Sequence, residues 1–268
     1  MDGKMETLPV MSTGKSLVSG EQALAWVANL WFVVMLLGQW IFAAYIIVTY
    51  WLPADSSAPV RWDSLTAAHG IAFMAHVGLS LGIFAAGPLQ LIPQIRTYFP
   101  QWHRWNGRLY LFSVAVASVS GLYMIWFRSD VGGIGVQLGT SLSAVLTALF
   151  GWQTIHFARA RDYLRHKRYA LRLFITSASV WFFRIQLMLW LMISGGKGLN
   201  PETFHGPALV VVSFTQYLVP LLMLELYFMA AKSSSDRQKI AYSAGLALMT
   251  LLMVLGLYAA IVGMWFPK

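Results

Sequence analysis

The residues of this chain predict an all-α, polytopic membrane helical bundle of about seven transmembrane helices. Three observations carry that prediction. Hydrophobic residues make up 58% of the 268 positions and charged residues 11%, with a mean hydropathy of +0.62, where a soluble domain carries about 25% charge. Uncharged stretches long enough to cross a ~30 Å hydrocarbon core recur along the whole chain. The basic residues gather in alternate connections, as membrane topology requires.

Taken in order, residues 1–23 read as a short cytoplasmic tail, with Gly, Ser, Thr and Asp but no apolar core of the kind a cleavable signal has. Residues 24–268 read as one transmembrane helical domain. The first span, 24–52, ends on the interfacial anchors Tyr50 and Trp51. The second, 64–92, carries small residues (Gly70, Gly78, Gly82, Gly87) that permit close helix approach. The third, 106–127, is flanked by Trp102, Trp105 and Trp126, and the fourth covers 134–158. The fifth, 170–193, is uncharged from Leu173 to Ile193 except for Arg184, and no broken-helix pair is evident anywhere in the chain. The sixth, 207–231, holds Pro220, which predicts a kink, and Glu225 near its end. The seventh, 240–266, has no lysine, which excludes a retinal Schiff base there.

Fourteen of the 19 basic residues fall on one side: in the tail, the 2–3 and 4–5 connections and the 6–7 connection. Arg61, Arg128, Lys197 and Lys268 fall on the other. The bias predicts an N-in, C-out protein of the bacterial inner (plasma) membrane. The same placement argues against nucleic acid as the partner of a +9 chain and for anionic head groups of membrane lipids at the cytoplasmic face. Protein partners cannot be read from it. With 0 Cys there are no disulfides, thiolate-held clusters or thioether-linked haem.

Spans 2–3 and 4–5 read as two versions of one hairpin. The first runs from Gly87-Pro88-Leu89-Gln90 through Arg96 to His103-Arg104-Trp105-Asn106-Gly107-Arg108-Leu109-Tyr110. The second runs from Gly151-Trp152-Gln153 through Arg159 and Arg161 to His166-Lys167-Arg168-Tyr169-Ala170-Leu171-Arg172. Both place a His-basic pair at the start of a span and another arginine five or six residues on. They would be related by rotation about the membrane normal. His103, Arg108, His166 and Arg172 open helices, where backbone N–H groups also favour anions, so a pocket for an anionic group is predicted there beside the ordinary topological role.

These segments, with His76-Val77-Gly78 and the later Arg184, make the chain similar to the bacterial membrane family called domain of unknown function 2306 over roughly residues 65–190. The pattern is a histidine in a span, Gly-Pro-x-Gln, His-Arg-Trp-x-Gly-Arg-x-Tyr, a later His-basic-basic opening and a membrane arginine. Tyr169 and Ala170 stand where the family's second opening has Trp and Met. The resemblance implies fold and membrane location rather than an activity.

Arg184 is the position that most strongly points to function. It lies roughly 15–18 Å from the end of its helix, near mid-bilayer, where a guanidinium costs about 3 kcal/mol or more unless partnered. His76 reaches a similar depth on span 2, and the expected partners of Arg184 are His76, Gln186 or Glu225, with Gln39, Gln216 and Tyr217 available to complete a network. A redox or cofactor-binding bundle is the leading expectation, with b-type haem or quinone as cofactor. Its cofactor site comprises His76, Arg184, His69, His156, His103, Arg108, His166 and Arg172. Haem would need ligand pairs: His69 with His205 at the outer level, and His156 with His103 or His166 at the inner one. A transporter or channel-like protein, with Arg184 and Glu225 as charge partners, is the alternative. A non-catalytic lipid-binding or assembly protein is another. No nucleophile–base or metal–carboxylate constellation indicates an enzyme, and catalytic residues stay unassigned.

Overall fold

In a computed structural model, residues 19–52, 67–127 and 132–266 are described. Among these residues, the helices at Gly20–Tyr50, Tyr163–Ser177 and Asp236–Ala260 begin on a side-chain cap. Helix α1 (Gly20–Tyr50) opens on a capping box, with Ser19 and Gln22 each accepting from the other's backbone. Helix α2 (Ala67–Ala86) stops before Gly87-Pro88. A 3₁₀ turn (Pro88–Leu91) and the short α3 (Pro93–Tyr98) then lead into α4 (Pro100–Phe127). Helix α5 (Gly133–Arg159) follows Gly132, whose φ of 73° lies in the left-handed region. Helix α6 (Tyr163–Ser177) is capped by Asp162, which accepts from the Arg165 N–H at 3.0 Å, and α7 (Ser179–Ser194) follows almost directly. Helix α8 (Pro207–Lys232) continues as one helix through Pro220. Helix α9 (Asp236–Ala260), capped by Ser235, ends in a π-helical turn at Ile261–Trp265.

Among the described residues, six helices are each long and apolar enough to cross a membrane: α1, α2 with its 3₁₀ turn, α4, α5, α8 and α9. A seventh span exists if α6 and α7 are counted together, and here the structure corrects the sequence reading. The fifth span is not a continuous helix over 170–193. Its helical path starts at Tyr163 and bends by 51° at Ala178. The break coincides with side chains that bond back onto their own helix. Thr176 Oγ1 donates to the Arg172 and Leu173 carbonyls (3.1 and 3.2 Å), and Ser177 Oγ donates to Phe174 (3.1 Å). Such bonds favour a bend. The expectation that no helix is broken fails at the segment that carries Arg184.

The packing is all helix on helix. Helices α2 and α4 form one close hairpin and α5 and α6 the other, while α9 packs on α1 and α7. Tyr110 of the first hairpin and Ser177 of the second share a hydrogen bond at 2.5 Å. The main core joins Met35 and Phe42 of α1, Phe84 of α2, Leu173 of α6, Trp181 of α7 and Met253 of α9. Large apolar side chains such as Val48, Val119, Val145, Leu222 and Leu251 face outward. A surface of this kind suits lipid contact.

Candidate functional site

A cavity of about 340 Å³ lies between α2, α4, α5 and α7, closed at one side by Gln216 of α8. Its wall is mostly apolar (Ile83, Phe84, Val114, Leu122, Val180, Phe183) and carries a small polar set. His76 of α2 and Arg184 of α7 both line it, so the two residues that the sequence places at mid-membrane depth share one space. The cavity exists at the break: Thr176, Ser177, Ser179 and Val180, on either side of Ala178, form its wall there.

His76 is fixed by the neighbouring hairpin strand of helix. Its Nδ1 meets the Ala117 carbonyl at 2.9 Å and the Ser120 hydroxyl at 3.4 Å. A carbonyl only accepts, so Nδ1 carries the proton in that bond, and in the neutral ring Nε2 is left as an acceptor. Gly121 supplies the room: a Cβ there would come within 3.1 Å of the imidazole. Arg184 is half-buried. Its Nη1 donates to the Val180 carbonyl of its own helix at 3.1 Å, and the guanidinium packs on the Phe42 ring, 5.2 Å from the centroid. A guanidinium has five N–H donors, so most of its capacity remains for a ligand or water.

The expected partners of Arg184 need correction. Glu225 belongs to Arg172: Nε and Nη2 of Arg172 donate to its two carboxylate oxygens at 2.6 and 2.9 Å. Gln186 is held by Thr215, whose hydroxyl donates to it at 2.8 Å. His76 shares the cavity with Arg184, without a direct hydrogen bond to it among the described residues. Arg184 is therefore held by a backbone carbonyl and an aromatic face rather than by a carboxylate.

The remaining candidates sit apart from the cavity. His103 is half-buried near the 3₁₀ turn, and the Gln90 amide, turned to match donors with acceptors, bonds the His103 ring and backbone, Asn106 and Gly107. His166 Nδ1 meets the Thr154 carbonyl at 3.0 Å, and His103 lies within electrostatic range of Arg96 and of His166. Arg108 is exposed and stacks on Trp105 at 4.8 Å. His156 is exposed and stacks on Trp152, with ring centroids 5.6 Å apart. His205 lies in the α7–α8 connection, where its Nδ1 meets the Thr203 carbonyl at 2.8 Å. His69 is helical, and its side chain lies outside the described residues. The structure thus brings together His76 with Arg184, Arg172 with Glu225, and His103 with His166, and these are three separate places. Among the described residues no group of three or more His, Asp or Glu side chains is arranged to hold a metal ion.

The hydroxyl groups of the cavity escaped the reading of the sequence. Thr140, Ser143 and Ser179 line it, and Ser143 donates to Ser179 at 3.0 Å. The signal was present as periodicity: the buried positions of α5 are Val136, Gly139, Ser143, Thr147, Gly151 and Thr154, a stripe of small and hydroxylated residues at three- and four-residue spacing.

The profile of the family described as "Predicted membrane protein (DUF2306)" matches residues 73–229. That stretch holds the cavity-lining residues of α2, α4, α5, α6, α7 and α8. No curated protein and no solved structure matches the chain.

Proposed function

The chain belongs to the DUF2306 family of predicted membrane proteins, and on that premise we propose that it is a multi-pass protein of the bacterial inner membrane that binds an isoprenoid quinone. The head group would lie in the cavity between α2, α4, α5 and α7. The observation that supports this reading is the pairing of Arg184 and His76 on one otherwise apolar wall. A quinone is an apolar ring with oxygens at opposite ends. Arg184 has N–H groups to give to a carbonyl, and neutral His76 has Nε2 to accept from the hydroxyl of the reduced form. Ser143, Ser179 and Gln216 add weaker polar contacts, and the apolar remainder suits the ring and the start of a tail. The haem version of a redox role draws less support, since His76 is the one histidine on this wall among the described residues.

The test is extraction. Protein purified in mild detergent is stripped with organic solvent and its quinone content measured by chromatography. Wild type should carry quinone near one per chain. Arg184→Gln and His76→Ala should each lose about tenfold or more, the consequence of removing ~1.4 kcal/mol or more of binding. Equal quinone in wild type and Arg184→Gln would reject the reading. A b-type α band in the dithionite-reduced spectrum would restore the haem version.

A second reading draws on the 51° break beside Arg184. Interrupted helices at mid-membrane are a feature of transporter binding sites, and a small anion recognised by Arg184 would fit. Uptake of anions into proteoliposomes, absent in Arg184→Gln, would favour it over quinone binding.

A further inference from the structure

Arg184 has a second side, and the cavity does not use it. Its guanidinium rests on Phe42, whose ring stacks with Tyr45 (centroids 6.0 Å apart) and tilts against Trp265 (5.0 Å). Tyr45 and Trp265 also stack on each other at 6.1 Å. Gln39 lies three residues before Phe42, on the same face of α1. Gln39 and Trp265 are 1% and 3% exposed, yet both amide atoms of Gln39 and the Trp265 indole N–H have no hydrogen-bond partner among the described residues. The phenols of Tyr45 and Tyr50 both lie within electrostatic range of Arg184. Tyr50 is the last residue of α1, on the membrane face opposite the basic turns, where it meets Phe73 edge-on at 5.7 Å.

Unpaired polar groups in a protein interior cost about 1–3 kcal/mol each. Clusters of them are normally satisfied by ordered water. Here two of them meet at one ring: Gln39 lies one helical turn before Phe42 and Trp265 packs against it, and the hydrogen-bonded phenols of Tyr45 and Tyr50 continue from there to the end of α1. The π-helical turn that carries Trp265 belongs to the same place, and such turns occur often at functional sites.

We infer that α1, α7 and the π-helical turn enclose a hydrated passage from the Tyr50 end of α1 to Arg184, which gives water access to the mid-membrane site from the face opposite the basic turns. The inference does not depend on which ligand the cavity holds. It assigns Tyr45 and Gln39 as lining residues.

The chain has 0 Cys, so single cysteines can be introduced without a background. Thiols react with charged, membrane-impermeant methanethiosulfonates as thiolates, which form only in contact with water. Tyr45→Cys and Thr49→Cys lie on the passage side of α1, where both positions are half-buried. Val48→Cys and Leu37→Cys sit on its outward face, at 52% and 49% exposure. In sealed vesicles of each orientation, Tyr45→Cys and Thr49→Cys should be modified at least tenfold faster than the two controls, and only from the face opposite the basic turns. Gln39→Cys tests the deep end and should react more slowly than Tyr45→Cys but faster than Leu37→Cys. Modification of Tyr45→Cys and Thr49→Cys at the rate of the controls, or from the basic face alone, would overturn the passage. Using two shallow variants guards against one misfolded protein, and intact thermal unfolding qualifies each. Quinone content is measured separately in the Cys-free protein, so failure of one idea leaves the other standing.

Discussion

Arg172 and Arg184 lie twelve residues apart on either side of a break, and the chain treats them in opposite ways. Arg172 is clamped by both oxygens of Glu225 and sandwiched by Tyr169 (4.9 Å) and Phe228 (5.4 Å). Among the described residues Arg184 has one hydrogen bond, to its own helix. The first is tied into the bundle by an ion pair, and the second is the one the quinone proposal calls on. Glu225→Gln should therefore lower unfolding stability by about 1–2 kcal/mol, the low end for charge-assisted pairs because the Glu225 side chain is 45% exposed. A double-mutant cycle with Arg172→Gln, read by thermal unfolding in detergent, checks that the loss belongs to the pair. Arg184→Leu should unfold no more readily than wild type, since it deletes a charge at a costly depth without breaking an ion pair. The sequence made the depth of Arg184 readable but not its partner. Glu225, which depth offers as one of three partners for Arg184, pairs instead with Arg172, and that choice is made by the packing of α6 on α8.

At the scale of the helices, contact distances are set by glycine. A Cβ on Gly256 of α9 would lie 2.6 Å from the Ile185 carbonyl oxygen of α7, whereas one on Gly245 of the same helix would meet nothing within 4 Å. Gly256→Ala should cost about 1–3 kcal/mol by forcing the two helices apart. Gly245→Ala should be neutral or slightly stabilising, because alanine is the better helix former. The two melting temperatures, compared in one detergent, test the packing of α9 on α7. Helix existence was legible from long uncharged runs, and the Gly206-Pro207 start agrees with the span at 207–231, whereas span 2 runs past the Gly87-Pro88 stop to 92 and span 7 begins at 240 rather than at the Ser235 cap. The break at Ala178 was not legible. Serine and threonine in an apolar run read as tolerable helix residues, and whether they bond back onto their own carbonyls is decided by packing.

For the whole molecule, charge and hydropathy sufficed to lay out the bundle, and they leave its orientation to be measured. We expect reporter fusions after Arg128 and Lys197 to be read on the outside and a fusion after Arg165 on the inside, because fourteen of the 19 basic residues lie on the latter side. A cytoplasmic signal at Lys197 would reverse the arrangement. The candidate site was half legible at this scale. His76 and Arg184 stood out because ionisable groups are rare at that depth, while the cavity between them arises from the way two hairpins meet at a bend, which no single segment encodes.

The bend also bears on how the chain is made. Helix α7 has 16 residues, a rise of roughly 24 Å against a hydrocarbon core of about 30 Å. It carries an arginine in its second turn, and the helix before it is studded with basic residues. As the nascent chain leaves the ribosome, such a segment is too short and too polar to enter the bilayer on its own partition energy. Its integration waits for its neighbours, with α5 offering a surface for α6 and Glu225 of α8 clamping Arg172. The segment that carries Arg184 would then become a membrane span only once α8 is made, and a truncation after Lys197 should leave α7 outside the lipid while the earlier helices insert normally.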